Sequence, residues 1–211
     1  MDIKELYKDW IELAEKYCQD LSVLNTISIK IKKKYSERNR HYHNLQHIDT
    51  MLKLAKENAS EIKDLDEVLF AIWFHDIIYK SRSKKNEEKS AKYLKKLLRK
   101  SKFKGLNNDK IDQLIMATKK HQIIVDTDLD NAFLLDFDLS ILGKNWDVYQ
   151  EYTQQIRKEY RMFPNFLYIP ARKKVLQGFL NREKLFFTEK YQELFEEQAR
   201  RNLQKELDLF S

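Results

Sequence analysis

The stretch Leu65-Asp-Glu-Val-Leu-Phe-Ala-Ile-Trp-Phe-His-Asp-Ile-Ile-Tyr79 decides how the rest of the chain is read. From Val68 to Phe74 it is apolar on every side, the mark of a helix buried in the middle of a fold rather than laid on its surface. Its end carries His75 and Asp76. Burying an ionised Asp beside an imidazole costs free energy unless both are paired or coordinated. A metal cation would remove that cost and accept both donor types; a buried His–Asp hydrogen-bonded pair is the plainer alternative.

Around this segment the periodicity is helical throughout. Helices are expected at Ile3 to about Gln19, Val23–Lys33 with Ser22 as cap, Asn44–Asn58, Glu87–Lys102, and from Asn107 to about His121. Further helices are expected at Ala132–Leu142, Trp146–Arg161, Ala171–Arg182 and Glu189–Leu207, with Pro164–Pro170 as a connection and Thr188 as the final cap. Gly105 is expected to end the helix before it, and residues 80–86 form the most loop-like stretch. Only three glycines and two prolines interrupt 211 residues, too few for the turns of a sandwich or barrel. The reading is an all-α, single-domain helical bundle, with no internal repeat and no domain boundary. The part expected to hold the candidate metal site covers about 40–143, and C-terminal helices over 145–207 are expected to pack on it.

Composition narrows the function classes. Cys18 is the only cysteine, which rules out an intrachain disulfide or a cysteine-based zinc site. The charged N-terminus is no secretory signal, no apolar run is long enough to span a membrane, and a cytoplasmic protein fits. The net charge is +7, and its excess sits between Lys80 and Lys104, where twelve Lys/Arg meet only Glu87 and Glu88. Such a stretch can attract phosphate or nucleic acid, or it can be a solvated face.

Three of the five histidines crowd into Arg40-His-Tyr-His-Asn-Leu-Gln-His47. His43 and His47 are four apart, so on a helix they share a face, although a polar helix start would look the same. Asp136 and Asp138 interrupt the apolar run Phe133–Leu142. One should cap a helix start or face solvent and the other point inward, with Asp138 the better inward candidate and Asp136 the alternative.

A His, a His-Asp pair and a distant Asp on separate helices resemble the ligand set of the HD superfamily of metal-dependent phosphohydrolases, and more closely its small bacterial members. The resemblance runs through Arg40–Ile48, Ala71–Tyr79, Asn86–Ala91, Asp138–Gly143, Ile156–Tyr160 and Ala199–Leu203. It implies an HD-type fold in which His47, His75, Asp76 and Asp138 bind a divalent metal. Mixed His/carboxylate ligation suits Mn, Fe, Co, Ni or Zn better than Mg. Tyr42-His-Asn-Leu-Gln-His47 is also similar to the Tyr-His-Asn-x-x-His signature of cyclic-nucleotide phosphodiesterases, which makes His43 the candidate general acid. Asp76 is counted with it as catalytic, since it can bridge to a second metal. The resemblance allows His121 a second-metal or phosphate role. Arg40, Asn44, Glu87, Glu88 and Arg157 are further candidates for substrate contact, as are Lys84 and Lys85.

The implied activity is hydrolysis of a small phosphorylated substrate, monoester or diester, with a nucleotide among the candidates and no membrane partner. The alternatives are a metal- or nucleotide-sensing HD domain without catalysis and, ranked last, a basic helical protein that binds nucleic acid through the 80–104 stretch.

Overall fold

Asp2, Asp20, Asn44, Asn107, Asn145 and Thr188 each start a helix the same way, a side-chain oxygen accepting a backbone N–H of the first turn. The computed structural model describes residues 2–124 and 129–210, and among these every regular element is helical. In order they are α1 Ile3–Ala14, α2 Leu21–Tyr35, α3 Leu45–Glu57, α4 Leu65–Phe74, α5 Asn86–Lys100 and α6 Asn108–Thr118. Then come α7 Asp130–Leu139, a 3₁₀ turn at Ser140–Gly143, α8 Trp146–Glu159, α9 Asn165–Leu180 and α10 Glu189–Asp208. The all-α expectation holds. No described helix is long and apolar enough to cross a membrane.

The chain divides into two compact units, Met1–Leu134 and Leu135–Ser211. In the first, α4 is central and packs against α3, α5 and α6. Val68 and every residue from Phe70 to Phe74 are buried, as the apolar run demanded. Trp10 of α1 meets Phe70, Trp73 and Phe74 edge-on with ring centroids 5.6–5.8 Å apart, the favoured aromatic geometry. The start of α4 is held from a distance. Asp64 makes no side-chain cap bond, but fully buried Asp130 accepts the N–H groups of Lys63 and Asp64 at 2.8 and 2.9 Å and the Lys110 ammonium at 2.7 Å.

In the second unit α10 packs on α9 and on the 3₁₀ turn. Two of its buried charges, Arg172 and Glu206, are paired with each other. Arg172 donates two bonds to Glu206 at 2.7 and 2.8 Å, and the Tyr149 hydroxyl donates to the same carboxylate. Asp136 is fully buried and accepts from Phe187 N–H, Thr188 N–H and the Thr188 hydroxyl at 2.7–2.8 Å, anchoring the start of α10. Burial pushes its carboxyl up to about 6 despite these donors.

Several element ends differ from the sequence reading. α1 stops at Ala14, not Gln19, because the Tyr17 carbonyl accepts from Lys104 N–H while the Tyr17 hydroxyl donates to Asp66. Asp20, not Ser22, caps α2 and starts it earlier. α4 ends at Phe74, and just beyond it the Asp76 and Ile77 carbonyls turn to Arg40, as described below. α5 ends at Lys100, and Lys102 rather than Gly105 takes the left-handed position after it, with φ 55°. α9 starts at Asn165 and runs through Pro170, so Pro164–Pro170 is no simple connection. The bond that Pro170 cannot make would have reached the carbonyl of Phe166, a residue 75% exposed, where water can replace the missing donor.

Candidate metal centre

The site is built where α3 begins and α4 ends. Asn44 caps α3 by accepting from Gln46 N–H at 2.8 Å, while its amide donates to the His41 carbonyl at 2.8 Å. These bonds lock the approach to the helix and leave His47 buried in the first turn. His43 therefore precedes the helix instead of sharing a face with His47 along it. The loop still brings the two rings within 6.2 Å.

At the other side, His75 caps the end of α4 and its Nδ1 lies 2.9 Å from the Ile72 carbonyl. A carbonyl only accepts, so Nδ1 carries the proton and Nε2 is the nitrogen that can offer a lone pair. Such outer bonds fix the tautomer and orientation of metal-ligating histidines. His75 Nε2 is 3.3 Å from Asp76 Oδ2, and the His47 and His75 rings are 5.4 Å apart. One donor atom each from His47, His75 and Asp76 falls within a 4.8 Å span, and all three residues are buried. Two imidazoles and a carboxylate this close match the donor set and reach of a transition-metal site.

Around these donors lies a frame the sequence reading did not assign. Arg40 is buried, and its guanidinium donates to the carbonyls of His43, Asp76 and Ile77 at 3.1, 2.7 and 3.0 Å. It also sits over the rings of Tyr35 and Tyr79. The His43 ring stacks on Tyr79 with centroids 4.2 Å apart, and its Nε2 is 4.0 Å from Asp76 Oδ2. From α5, the Ser90 hydroxyl accepts Ile78 N–H, and the Asn86 amide brackets both backbone groups of Lys80. Asn86 and Ser90 belong to one of the stretches that carried the family resemblance.

The other expected residues stand as follows. Asp138 lies in the second unit, half-buried on α7, and is not part of the three-residue group. Of Asp136 and Asp138, Asp136 is the one sealed inside, contrary to the inward placement of Asp138. His121 is also outside the group; it has a left-handed backbone, φ 47°, where Gln122 N–H closes back on the Ala117 carbonyl and ends α6. Arg40 spends its guanidinium on backbone carbonyls instead of facing a phosphate, and Asn44 serves as a cap. Glu88 pairs with Lys119 at 2.6 Å, which holds its carboxyl below the ordinary value. Glu87 is half-buried in the first turn of α5, and Lys84 and Lys85 are exposed. Arg157, in the second unit, binds the carbonyls of Tyr160 and Phe163 and the Asn165 side chain, tying α8 to α9.

Comparison of the chain with protein-family models, curated proteins and solved structures found no match.

Proposed function

We propose that the chain is a metal-dependent phosphohydrolase that cleaves a phosphomonoester or phosphodiester, with nucleotides among the candidate substrates. The observation that carries this reading is the buried His47–His75–Asp76 donor group with a further imidazole, His43, 4.0 Å from the Asp76 carboxylate. His47 and His75 would hold a divalent cation through ring nitrogens and Asp76 through a carboxylate oxygen. A cation bound there supplies Lewis acidity that lowers the pKa of a water and neutralises phosphate charge. The mixed donor set favours Mn, Fe, Co, Ni or Zn over Mg. Asp138 is carried as a fourth ligand on the sequence resemblance alone.

His43 is the proton donor in this reading. It is half-buried, and the Tyr79 stack limits its ring to a narrow range of orientations. It holds a proton at Nε2 for the leaving oxygen, the role a positioned imidazole plays in general acid catalysis. Arg40 keeps the His43 loop and the Asp76–Ile77 turn in register.

The test is hydrolysis of p-nitrophenyl phosphate, bis-p-nitrophenyl phosphate and a nucleotide set by manganese-loaded protein. His43→Ala should lower kcat by about 10²- to 10⁴-fold while metal affinity is kept. Hydrolysis that survives exhaustive chelation, or that His75→Ala leaves unchanged, would contradict the reading.

A further inference from the structure

The exposed face of α5 has a composition unlike the other charged helices of this chain. Lys89, Lys92, Lys96, Arg99 and Lys100 are all exposed, and at about 100° per residue they share an arc of about 100°. Lys85, exposed just ahead of the helix, extends the row. The row from Lys85 to Lys100 is about 22 Å long at 1.5 Å per residue. The opposite side, Ala91, Leu94, Leu97 and Leu98, is buried. The only acids of α5 lie in its first turn, where Glu88 is already held by Lys119. None of the six basic residues in the row forms an ion pair among the described residues; Lys95, on the flank, reaches Asp109 at 3.7 Å.

Other helices offset several of their charges with an opposite one a turn away, as in Lys8–Glu12, Asp49–Lys53, Glu196–Arg200 and Glu197–Arg201. On α5 the same spacing joins like charges: Lys85 to Lys89, Lys92 to Lys96, Lys96 to Lys100. Like charges at this spacing destabilise a helix, and no exposed acid of α5 offsets them. A polyanion laid along the row would neutralise it. Every exposed residue of α5 is Lys or Arg. The face therefore offers nothing apolar to insert into a bilayer and no exposed ring on which a base could stack.

We propose that this face of α5 docks the phosphate backbone of nucleic acid, without sequence preference and independently of the metal centre. Contacts to phosphate position a protein but carry no sequence information by themselves. Binding driven by them falls steeply with salt through counterion release.

The experiment is fluorescence anisotropy of the full chain with labelled 20-nucleotide single strands of two unrelated sequences and a 20-base-pair duplex. At low salt the wild type should bind both strands equally. Engaging five phosphates of a single strand gives a log K against log salt slope of about −3.5. Lys89→Glu/Lys92→Glu/Lys96→Glu should weaken binding by about 30-fold or more and flatten the slope. Lys30→Glu/Lys33→Glu/Lys174→Glu changes the net charge equally at other exposed lysines and should stay within about 3-fold of wild type. The milder Lys89→Gln/Lys92→Gln/Lys96→Gln, checked by circular dichroism, separates lost contacts from lost folding. Asp76→Ala should bind like wild type, which keeps this result separate from the fate of the hydrolase reading. Equal loss in both reversal variants, absence of salt dependence, or tighter binding to phosphatidylserine vesicles than to nucleic acid would overturn the proposal.

Discussion

The Arg40 guanidinium donates to the backbone carbonyl of Asp76 at 2.7 Å, and the carboxylate of the same Asp76 belongs to the candidate metal-ligand group. The same nitrogen reaches the His43 carbonyl at 3.1 Å. One buried cation therefore joins the loop that carries the candidate acid to the turn that carries the candidate ligand.

Arg40→Lys keeps the charge but cannot fork across these carbonyls. It should lower metal affinity by about 10- to 100-fold, as loss of an outer-shell partner does, with only a modest fall in melting temperature. Arg40→Met leaves the carbonyls of His43, Asp76 and Ile77 without this donor and should cost about 2–4 kcal/mol. Metal titration and thermal melting of both variants check this; unchanged affinity in Arg40→Lys would remove Arg40 from the site's frame.

The end of α4 shows what was legible in the sequence and what was not. The apolar run Val68–Phe74 announced a buried helix, and burial of His75 and Asp76 followed from their place beside it. The stop at Phe74 was not visible, because it depends on Arg40 and Ser90, residues remote in sequence. Arg40 itself reads from sequence as a candidate substrate contact, and only its carbonyl partners show it as part of the frame. Similarly, Asp136 and Asp138 look alike in an apolar helix. Only the N–H groups of Phe187 and Thr188, some fifty residues on, distinguish the sealed one. The spacing of His43 and His47 suggested a shared helix face, and their proximity was right for a different reason, since Asn44 starts the helix between them.

The Arg172–Glu206 pair offers a sharper stability test. Both groups are buried and doubly bonded, so removing one partner strands the other charge. Glu206→Gln or Arg172→Met alone should destabilise by about 3–5 kcal/mol, whereas Arg172→Met/Glu206→Leu should recover most of that loss. Chemical denaturation of the three variants measures the coupling, and additive losses would contradict it.

Gly143 and Gly178 should respond in opposite directions to the same change. A Cβ at Gly143 would lie 2.3 Å from the Phe195 Cβ, while one at Gly178 would meet nothing within 4 Å. Gly143→Ala should cost about 1–3 kcal/mol through overpacking. Gly178→Ala, within α9, should add up to about 1 kcal/mol by helix propensity. Thermal melting decides both.

The Glu88–Lys119 pair makes a pH prediction. The Glu88 carboxyl is held below its ordinary 4.5, chiefly by the hydrogen bond from Lys119. Its contribution to stability is therefore complete above that ordinary value and is lost as the pH falls below it, through the lowered folded value. The Lys119 side is raised above 10.5, again chiefly by that bond, so its part is present below 10.5 and fades as the pH rises through the folded value. An NMR titration of the Glu88 side chain should show a low midpoint that Lys119→Met returns to the ordinary range. An unchanged midpoint would mean the pair is not formed in solution.

Metal binding by wild type and Asp76→Ala, followed by calorimetric titration with manganese and zinc and by elemental analysis, tests the central claim most directly. Wild type should take up about one equivalent of transition metal, and Asp76→Ala, still helical by circular dichroism, should bind at least about 100-fold more weakly. Wild type that takes up no metal, or a variant that binds as tightly as wild type, would show that His47, His75 and Asp76 are not a metal centre.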